Sequence, residues 1–280
     1  MPAGVEHGLP AAPARAWHHL EVERDAQAAL AARLRFLHHH STPLVLPNAW
    51  DAASARAVEA AGFGAVATTS GGVAASLGWE DGQKLPVDVM FDAIARITRA
   101  VDLPVSADVE AGYDLPAAEL VGLLIATGAV GCNIEDTDHA RGRELVPIEA
   151  QVERLTSVKE AALAAGIDVV LNARVDVFLR RSLGAENGLE EAVERATRYT
   201  EAGADCIYPI GADEEQLASF VARFRGVVNA MARPANPRLS RLFELRISRI
   251  SFGSRLQQLT TQSFGQRLAV IASGADAWHE

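Results

Sequence analysis

The stretch Pro104-Val-Ser-Ala-Asp-Val-Glu-Ala-Gly-Tyr113 is an apolar run that delivers two carboxylates, Asp108 and Glu110, just before a glycine. Strand alternation places the two on one face, where a cation is the simplest neutraliser of converging acids. A divalent metal site is the chemistry this suggests, and a helix cap or solvated loop is the plainer reading of one such pair. The pattern recurs down the chain. Val130-Gly-Cys-Asn-Ile-Glu-Asp136 ends in Glu135 and Asp136, and Val169-Val-Leu-Asn-Ala-Arg-Val-Asp176 ends in Asn172, Arg174 and Asp176. Repetition at several exits favours the metal site.

Positioning such groups requires a scaffold that brings many strand ends to one place. Strands are expected at Leu44–Pro47, Ala65–Thr69, Val105–Val109, Val130–Ile134, Val169–Ala173, Cys206–Pro209, Val227–Ala230 and Arg249–Phe252. Helices are expected between most of them, at Ala52–Ala61, Val87–Ala100, Ala117–Thr127, Glu149–Ala165, Leu189–Ala202, Glu214–Arg223 and Leu239–Leu245. Several close on glycine, as at Gly62, Gly128, Gly166 and Gly203, which is how a helix stops before the next strand. Eight strands with intervening helices point to an α/β fold of the (β/α)8 TIM-barrel type. A doubly wound sheet would announce a Gly-rich phosphate turn, and Thr68-Thr-Ser-Gly-Gly-Val73 lacks that spacing. In a barrel, Asp108, Glu110, Glu135, Arg174 and Asn229 meet at one mouth. Residues 1–25, rich in Ala, Pro and charge, read as a loosely ordered extension, and residues 26–280 as one barrel domain with a helical tail.

The 280 residues suffice for one large barrel, and the 49% hydrophobic content contains no run long enough to span a membrane. A formal charge of −10 argues against nucleic acid or an anionic membrane as partner. Small anionic substrates remain open where arginine or metal supplies local positive charge. Cys132 and Cys206 fall inside expected strands and read as buried thiols, which suits a reducing cytoplasm. The N-terminus shows no signal-peptide pattern. His38, His39 and His40 are consecutive, so their side chains do not converge, and a solvated helix end is the better reading than a metal site. Asp51, between a strand and a helix, reads as an N-cap. The two lysines, Lys84 in a loop and Lys159 in a helix, give little support to an imine mechanism.

The order and spacing of several motifs resemble the phosphoenolpyruvate mutase and isocitrate lyase superfamily. These are Leu46-Pro-Asn-Ala-Trp-Asp-Ala-Ala-Ser-Ala-Arg56, Thr69-Ser-Gly-Gly-Val73, Leu77-Gly-Trp-Glu-Asp81, Ser106-Ala-Asp-Val-Glu-Ala-Gly-Tyr113, Asn133-Ile-Glu-Asp136, Asn172-Ala-Arg-Val-Asp176 and Glu201-Ala-Gly-Ala-Asp205. The resemblance runs from Leu44 to about Leu256. It implies a barrel whose last helix is exchanged between subunits of a homodimer or homotetramer, use of Mg²⁺ or Mn²⁺, and passage through a stabilised enolate. Asp108 is similar to the family's direct metal contact, with Asp81, Glu110 and Glu135 holding the metal's waters, the hard oxygen set that Mg²⁺ prefers. Ser70 and the amides around Ser70, Gly71 and Gly72 resemble the cradle for the substrate carboxylate and enolate oxygen. Arg174 resembles the arginine partner of that oxygen system, and Asn229 the polar group on the far carboxylate or phosphonate.

The departures carry weight as well. Methylisocitrate and isocitrate lyases place a Lys-x-Cys-Gly-His loop, with an acidic cysteine, after the strand matching Val130–Ile134, and the mutases place lysine and asparagine there. This chain has the shorter Glu135-Asp-Thr-Asp-His-Ala-Arg-Gly-Arg-Glu144, and Tyr208-Pro-Ile-Gly211 lacks the Glu or His expected after the sixth strand. His139 is then the candidate proton donor, with Arg141 and Arg143 able to attract a second carboxylate; an exposed, solvated loop is the plain alternative. The functional expectation is a cytoplasmic, Mg²⁺-dependent lyase that cleaves a C–C bond in a small 2-oxo or 2-hydroxy dicarboxylic acid, in the manner of an oxaloacetate decarboxylase. Cleavage or rearrangement of a P–C bond in a phosphonopyruvate-like substrate is the competing chemistry. A ligand-binding barrel that has lost catalysis is the alternative of another class. Past Leu256, Thr260-Thr-Gln-Ser-Phe-Gly-Gln266 replaces the small apolar helix expected, which gives helix exchange less support.

Overall fold

A computed structural model of the chain describes residues 14–39, 42–179, 185–234 and 237–277, without the side chains of 14–22 and 185–187. The elements follow as α1 Ala14–His38, β1 Leu44–Val45, β2 Asn48–Ala49, α2 Ala52–Ala60, β3 Val66–Thr68, α3 Ser70–Ser76, α4 Val87–Thr98, β4 Val105–Asp108 and α5 Ala117–Ala126. Then come β5 Gly131–Glu135, β6 Thr137–Asp138, β7 Glu144–Leu145, α6 Ile148–Ala164, β8 Val170–Arg174, a 3₁₀ turn at Val177–Leu179, α7 Ala185–Glu201 and β9 Cys206–Tyr208. α8 Glu214–Arg223, β10 Asn229–Met231, α9 Leu239–Glu244, β11 Arg249–Ser251 and α10 Arg255–Ala272 complete the chain.

Every expected strand is present, and the parallel staves close on themselves. β2, β3, β4, β5, β8 and β9 are neighbours in that order, and β10, β11 and β1 continue the circuit. A parallel bridge between Ile207 and Val228 joins the two sets, and β1 with β2 forms the first stave. The fold is therefore a (β/α)8 barrel. Its staves read VAT, VSAD, GCNIE and VLNAR with nearly every residue buried, as strands covered on both faces must be. Asp51 is the N-cap of α2 in a capping box with Ser54, as its position suggested. Cys132 and Cys206 are free and buried, and burial pushes both thiols up to about 12, which removes them as nucleophiles.

The N-terminal expectation meets two facts. Residues 1–13 lie outside the described residues, whereas α1 begins at Ala14, inside the stretch read as an extension. α1 is tied to the barrel by Arg35, which pairs with Asp205 at 2.8 Å and Asp168 at 2.9 Å. His40 lies outside the described residues, and His38 is 3% exposed rather than solvated. Its Nδ1 stands 2.7 Å from the Leu34 carbonyl and its Nε2 3.5 Å from an Arg249 guanidinium nitrogen. That pairing selects the tautomer in which Nδ1–H donates and Nε2 accepts. Arg249, fully buried, also donates to Ser106 Oγ at 3.1 Å and Asn133 Oδ1 at 3.2 Å.

Burial first, then the Arg249 charge, lower the His38 pKa to about 4. A group whose folded pKa lies below its unfolded value stabilises the fold above the unfolded pKa and loses that contribution as pH falls. Acidification from about pH 6.5 to 4 is therefore expected to cost up to about 3 kcal/mol through this one side chain. Urea unfolding of His38→Gln across that range should show a flatter pH dependence than the parent; parallel curves would sink the assignment.

Candidate active site

β4 ends at Asp108, and a cleft of about 540 Å³ opens above it, lined by Ser70, Asp81, Asp108 and Arg174 among others. One Asp108 oxygen, Oδ2, accepts from the Ser70 amide at 3.0 Å and the Ser70 hydroxyl at 2.9 Å. The other, Oδ1, is buried with no hydrogen-bond partner. A buried unsatisfied carboxylate oxygen is costly, and a hard cation is the ligand that suits it. Ser70 opens α3, whose N-cap Thr69 accepts from the Gly72 amide. Gly71 is needed for close approach, since a Cβ there would meet Ser254 Oγ at 2.7 Å and Asp81 Oδ2 at 2.9 Å. Its absence lets the Asp81 carboxylate approach the start of α3.

Glu110 joins this cluster for a different reason from strand alternation. The strand has ended, and Glu110 sits in the left-handed region at φ +52°, in a turn that sends its carboxylate to the Gln83 amide (2.5 Å) and the Tyr113 hydroxyl (2.9 Å). Burial, then the charges of Asp108 and Asp81, push Glu110 up to about 7. Such mutual repulsion is what a bound divalent cation relieves. The residues present thus fit a metal of the Mg²⁺ or Mn²⁺ kind.

On the next staves, Glu135 at the end of β5 is held on both oxygens. His139 Nε2 lies 2.5 Å from Oε1, and Arg174 contacts Oε2. Ligand atoms of Glu110, Glu135 and His139 all fall within 4.8 Å of one another. Arg174, at the end of β8, also makes a fork to Asp176 at 2.8 and 2.6 Å. Asp176 in turn accepts from Thr137 Oγ1, and its amide donates to Asp136. The expected loop is a short hairpin, β6 paired antiparallel with β7, so His139 is not simply solvated. Its hydrogen bond to Glu135, and the charges of Glu135 and Glu110, raise its pKa against the opposing effect of burial.

Asp108, Asp81, Ser70 and Arg174 thus share the cleft wall, while Glu110, Glu135 and His139 pack together as a neighbouring cluster. Gly72 lies beneath, its Cβ position facing Thr69 and Trp50. Asn229 is wholly buried and absent from the cleft wall; its carbonyl oxygen accepts from Ser251. Arg141 and Arg143 are exposed and away from the cleft. Lys159 pairs with Asp168 and Asp205 on α1's side of the barrel, and neither it nor Lys84 lines the cleft. Sequence reasoning missed Arg233 and Arg255, which do line it. Their only advance signal was position, just after the seventh and eighth staves.

A TIM-type barrel with carboxylates, a serine and a paired arginine converging at one mouth belongs to the class of barrel enzymes whose chemistry sits at strand ends. Residues 34–272 match the phosphoenolpyruvate phosphomutase family, and the chain belongs to it. It is 32% identical over 219 residues to an uncharacterised Mycobacterium tuberculosis protein, covering 78% of this chain and 80% of that one. It is 29% identical over 195 residues to Bacillus subtilis 2-methylisocitrate lyase, covering 67% and 62%. A provisionally named phosphonomutase structure from Burkholderia cenocepacia superposes with TM-score 0.79 at 36% identity, covering 85% and 98%. The family relatives thus include lyases and mutases. Among the described residues, no helix is long and apolar enough to cross a membrane.

Proposed function

We propose that the protein is a divalent-metal-dependent lyase that cleaves a C–C bond in a small 2-oxo or 2-hydroxy dicarboxylic acid, with Mg²⁺ or Mn²⁺ held by Asp108 and backed by Asp81, Glu110 and Glu135. The observation that carries this is the unsatisfied Asp108 Oδ1 in a cleft shared with Ser70 and Arg174. Bond cleavage beside a 2-oxo group leaves an electron pair that delocalises onto the carbonyl oxygen. When bound, the cation supplies Lewis-acid stabilisation of that negative charge. Arg174, fixed by Asp176 and Glu135 and lining the cleft, would give its remaining donor capacity to the same oxygen system, and preorganised donors of this kind cost no rearrangement at the moment of reaction. Ser70 holds Asp108 in place through two donated bonds. His139, whose Nε2 stands 2.5 Å from Glu135 Oε1, acts as the proton source for the site through that carboxylate.

The test uses oxalate, a planar mimic of the enolate of pyruvate. Calorimetry is expected to show oxalate binding that needs the metal, and Arg174→Lys should weaken it despite keeping the charge, because lysine lacks the planar fork. Oxalate affinity unchanged by chelation would remove the enolate reading. A turnover screen of dicarboxylates against phosphonopyruvate-like substrates decides between C–C and P–C cleavage, and no turnover on either would favour a binding barrel.

The proposal extends to assembly as a homodimer or homotetramer through α10. The helix forms past Leu256, where the expected small apolar pattern is replaced by polar residues, and none of its residues is buried. Leu259, Phe264, Leu268 and Ile271 are all exposed, and an apolar groove beside it is lined by Trp50, Phe63, Leu256 and Thr260. Exchange of α10 with a second copy would cover both. Sedimentation should give at least twice the chain mass, and Phe264→Glu with Leu268→Glu should shift it toward monomer; a monomeric parent ends the idea.

A further inference from the structure

The charges around the cleft are sorted by stave. Acidic groups come from the second to fourth staves and the loops that follow them: Asp81 after β3, Asp108 on β4, Glu110 after it and Glu135 on β5. The other half of the wall carries Arg233, two residues beyond β10, and Arg255, the first residue of α10. Strand order places β10 across the barrel from β4. Met231, Phe252 and Ile210 supply apolar surface on the same side, which limits the water available to screen a charge held there.

Among the described residues no carboxylate lies within ion-pair distance of Arg233 or Arg255, whereas Arg174, Arg195, Arg198 and Arg241 all have acidic partners. Among the described residues, the Arg255 guanidinium donates to Gln258 alone, at 3.3 Å. The backbone of Arg233 is fixed, its amide donating to the Pro237 carbonyl at 2.9 Å. In a chain with 36 acidic and 26 basic residues, two guanidinium groups that line one cleft with no carboxylate partner among the described residues are an arrangement for binding an anion from outside. The planar fork suits carboxylate and phosphonate oxygens alike.

We propose that Arg233 and Arg255 form a second anion-reading site, so that the substrate is a dianion with one acidic group at the Asp108 side and another at the arginine side. This rests on the proposed function only for what occupies the Asp108 side. It also assigns the far-group role to residues other than Asn229, Arg141 and Arg143.

The probes are lactate, malate and 3-phosphonolactate, which share a 2-hydroxy acid and differ in the distal group, with oxalate as the short reference. Calorimetry on the Mg²⁺-loaded full chain is expected to show malate or 3-phosphonolactate binding at least tenfold tighter than lactate, and the tighter of the two names the distal group. Arg233→Gln combined with Arg255→Gln should abolish that preference while moving oxalate affinity less than about threefold. Arg233→Lys should retain part of it, and thermal melts check that each variant is folded. Equal binding of all three hydroxy acids by the parent would overturn the proposal, as would a double variant that weakens lactate and oxalate as much as the dianions. If oxalate binds without regard to metal or Asp108 while the dianion preference still follows Arg233, the enolate reading fails and the arginine site stands.

Discussion

Asp108→Asn is expected to abolish metal-dependent stabilisation and to lower turnover by about a thousandfold or more, while leaving the metal-free fold at least as stable as the parent. The three parts follow from one geometry. Asparagine is nearly isosteric, and its carbonyl oxygen still accepts from the Ser70 amide and hydroxyl that now meet Oδ2. Local structure is thereby kept. What disappears is the negative charge and the second oxygen, the buried Oδ1 that has no partner. Removing a charge beside Glu110, itself pushed up to about 7 partly by Asp108, relieves repulsion in the metal-free protein. Turnover suffers because Lewis-acid stabilisation of a developing oxyanion is worth several kcal/mol, and about 4 kcal/mol corresponds to a thousandfold. Thermal melts with and without Mg²⁺, paired with calorimetry, measure the first part. Equal metal affinity in variant and parent would remove Asp108 from the site.

The barrel was legible because its signals are local and repeated. Eight apolar runs, helices closed by glycine and polar residues at strand exits each report on a few neighbouring residues, and their sum defines the fold. Elements outside those runs were harder to read, for physical reasons. α3 begins Ser70-Gly71-Gly72, and paired glycines are poor helix formers; tight packing against Asp81 and Ser254 overrides that propensity. α10, expected as a helical tail, carries Thr, Gln, Ser and Gly in its middle, so no apolar stripe marks its bounds or its exchange. The hairpin of β6 and β7 is too short for a periodic signal. The site shows the same division. Asp108, Glu135 and Arg174 are read from strand ends, whereas Glu110 reaches the cluster only through a positive φ that alternation does not anticipate. His38 was misplaced at the surface because burial by a neighbouring barrel interior leaves no mark on a histidine run. Arg233 and Arg255 sit in no motif, and only closure of the barrel brings them to the cleft that Asp108 lines.

His139→Ala is expected to lower turnover by about a hundredfold, the lower scale of general acid catalysis, with oxalate and Mg²⁺ affinities changed by less than about threefold. His139 is absent from the cleft wall, so it acts through its neighbours, of which Glu135 is nearest at 2.5 Å and meets Arg174, a wall residue, through its other oxygen. Its raised pKa, caused chiefly by that hydrogen bond, keeps the imidazole protonated further toward neutral pH than an ordinary histidine. A candidate proton donor thus stands one residue from the reacting groups. Loss of the side chain leaves a void beside Gly82, whose Cβ position lies 3.3 Å from His139 Nδ1, and free imidazole is small enough to enter it. Added imidazole should therefore restore part of the lost turnover in His139→Ala and do nothing for Asp108→Asn. A variant slowed but deaf to imidazole would show that His139 only positions Glu135, and one with full activity would leave solvent as the proton source.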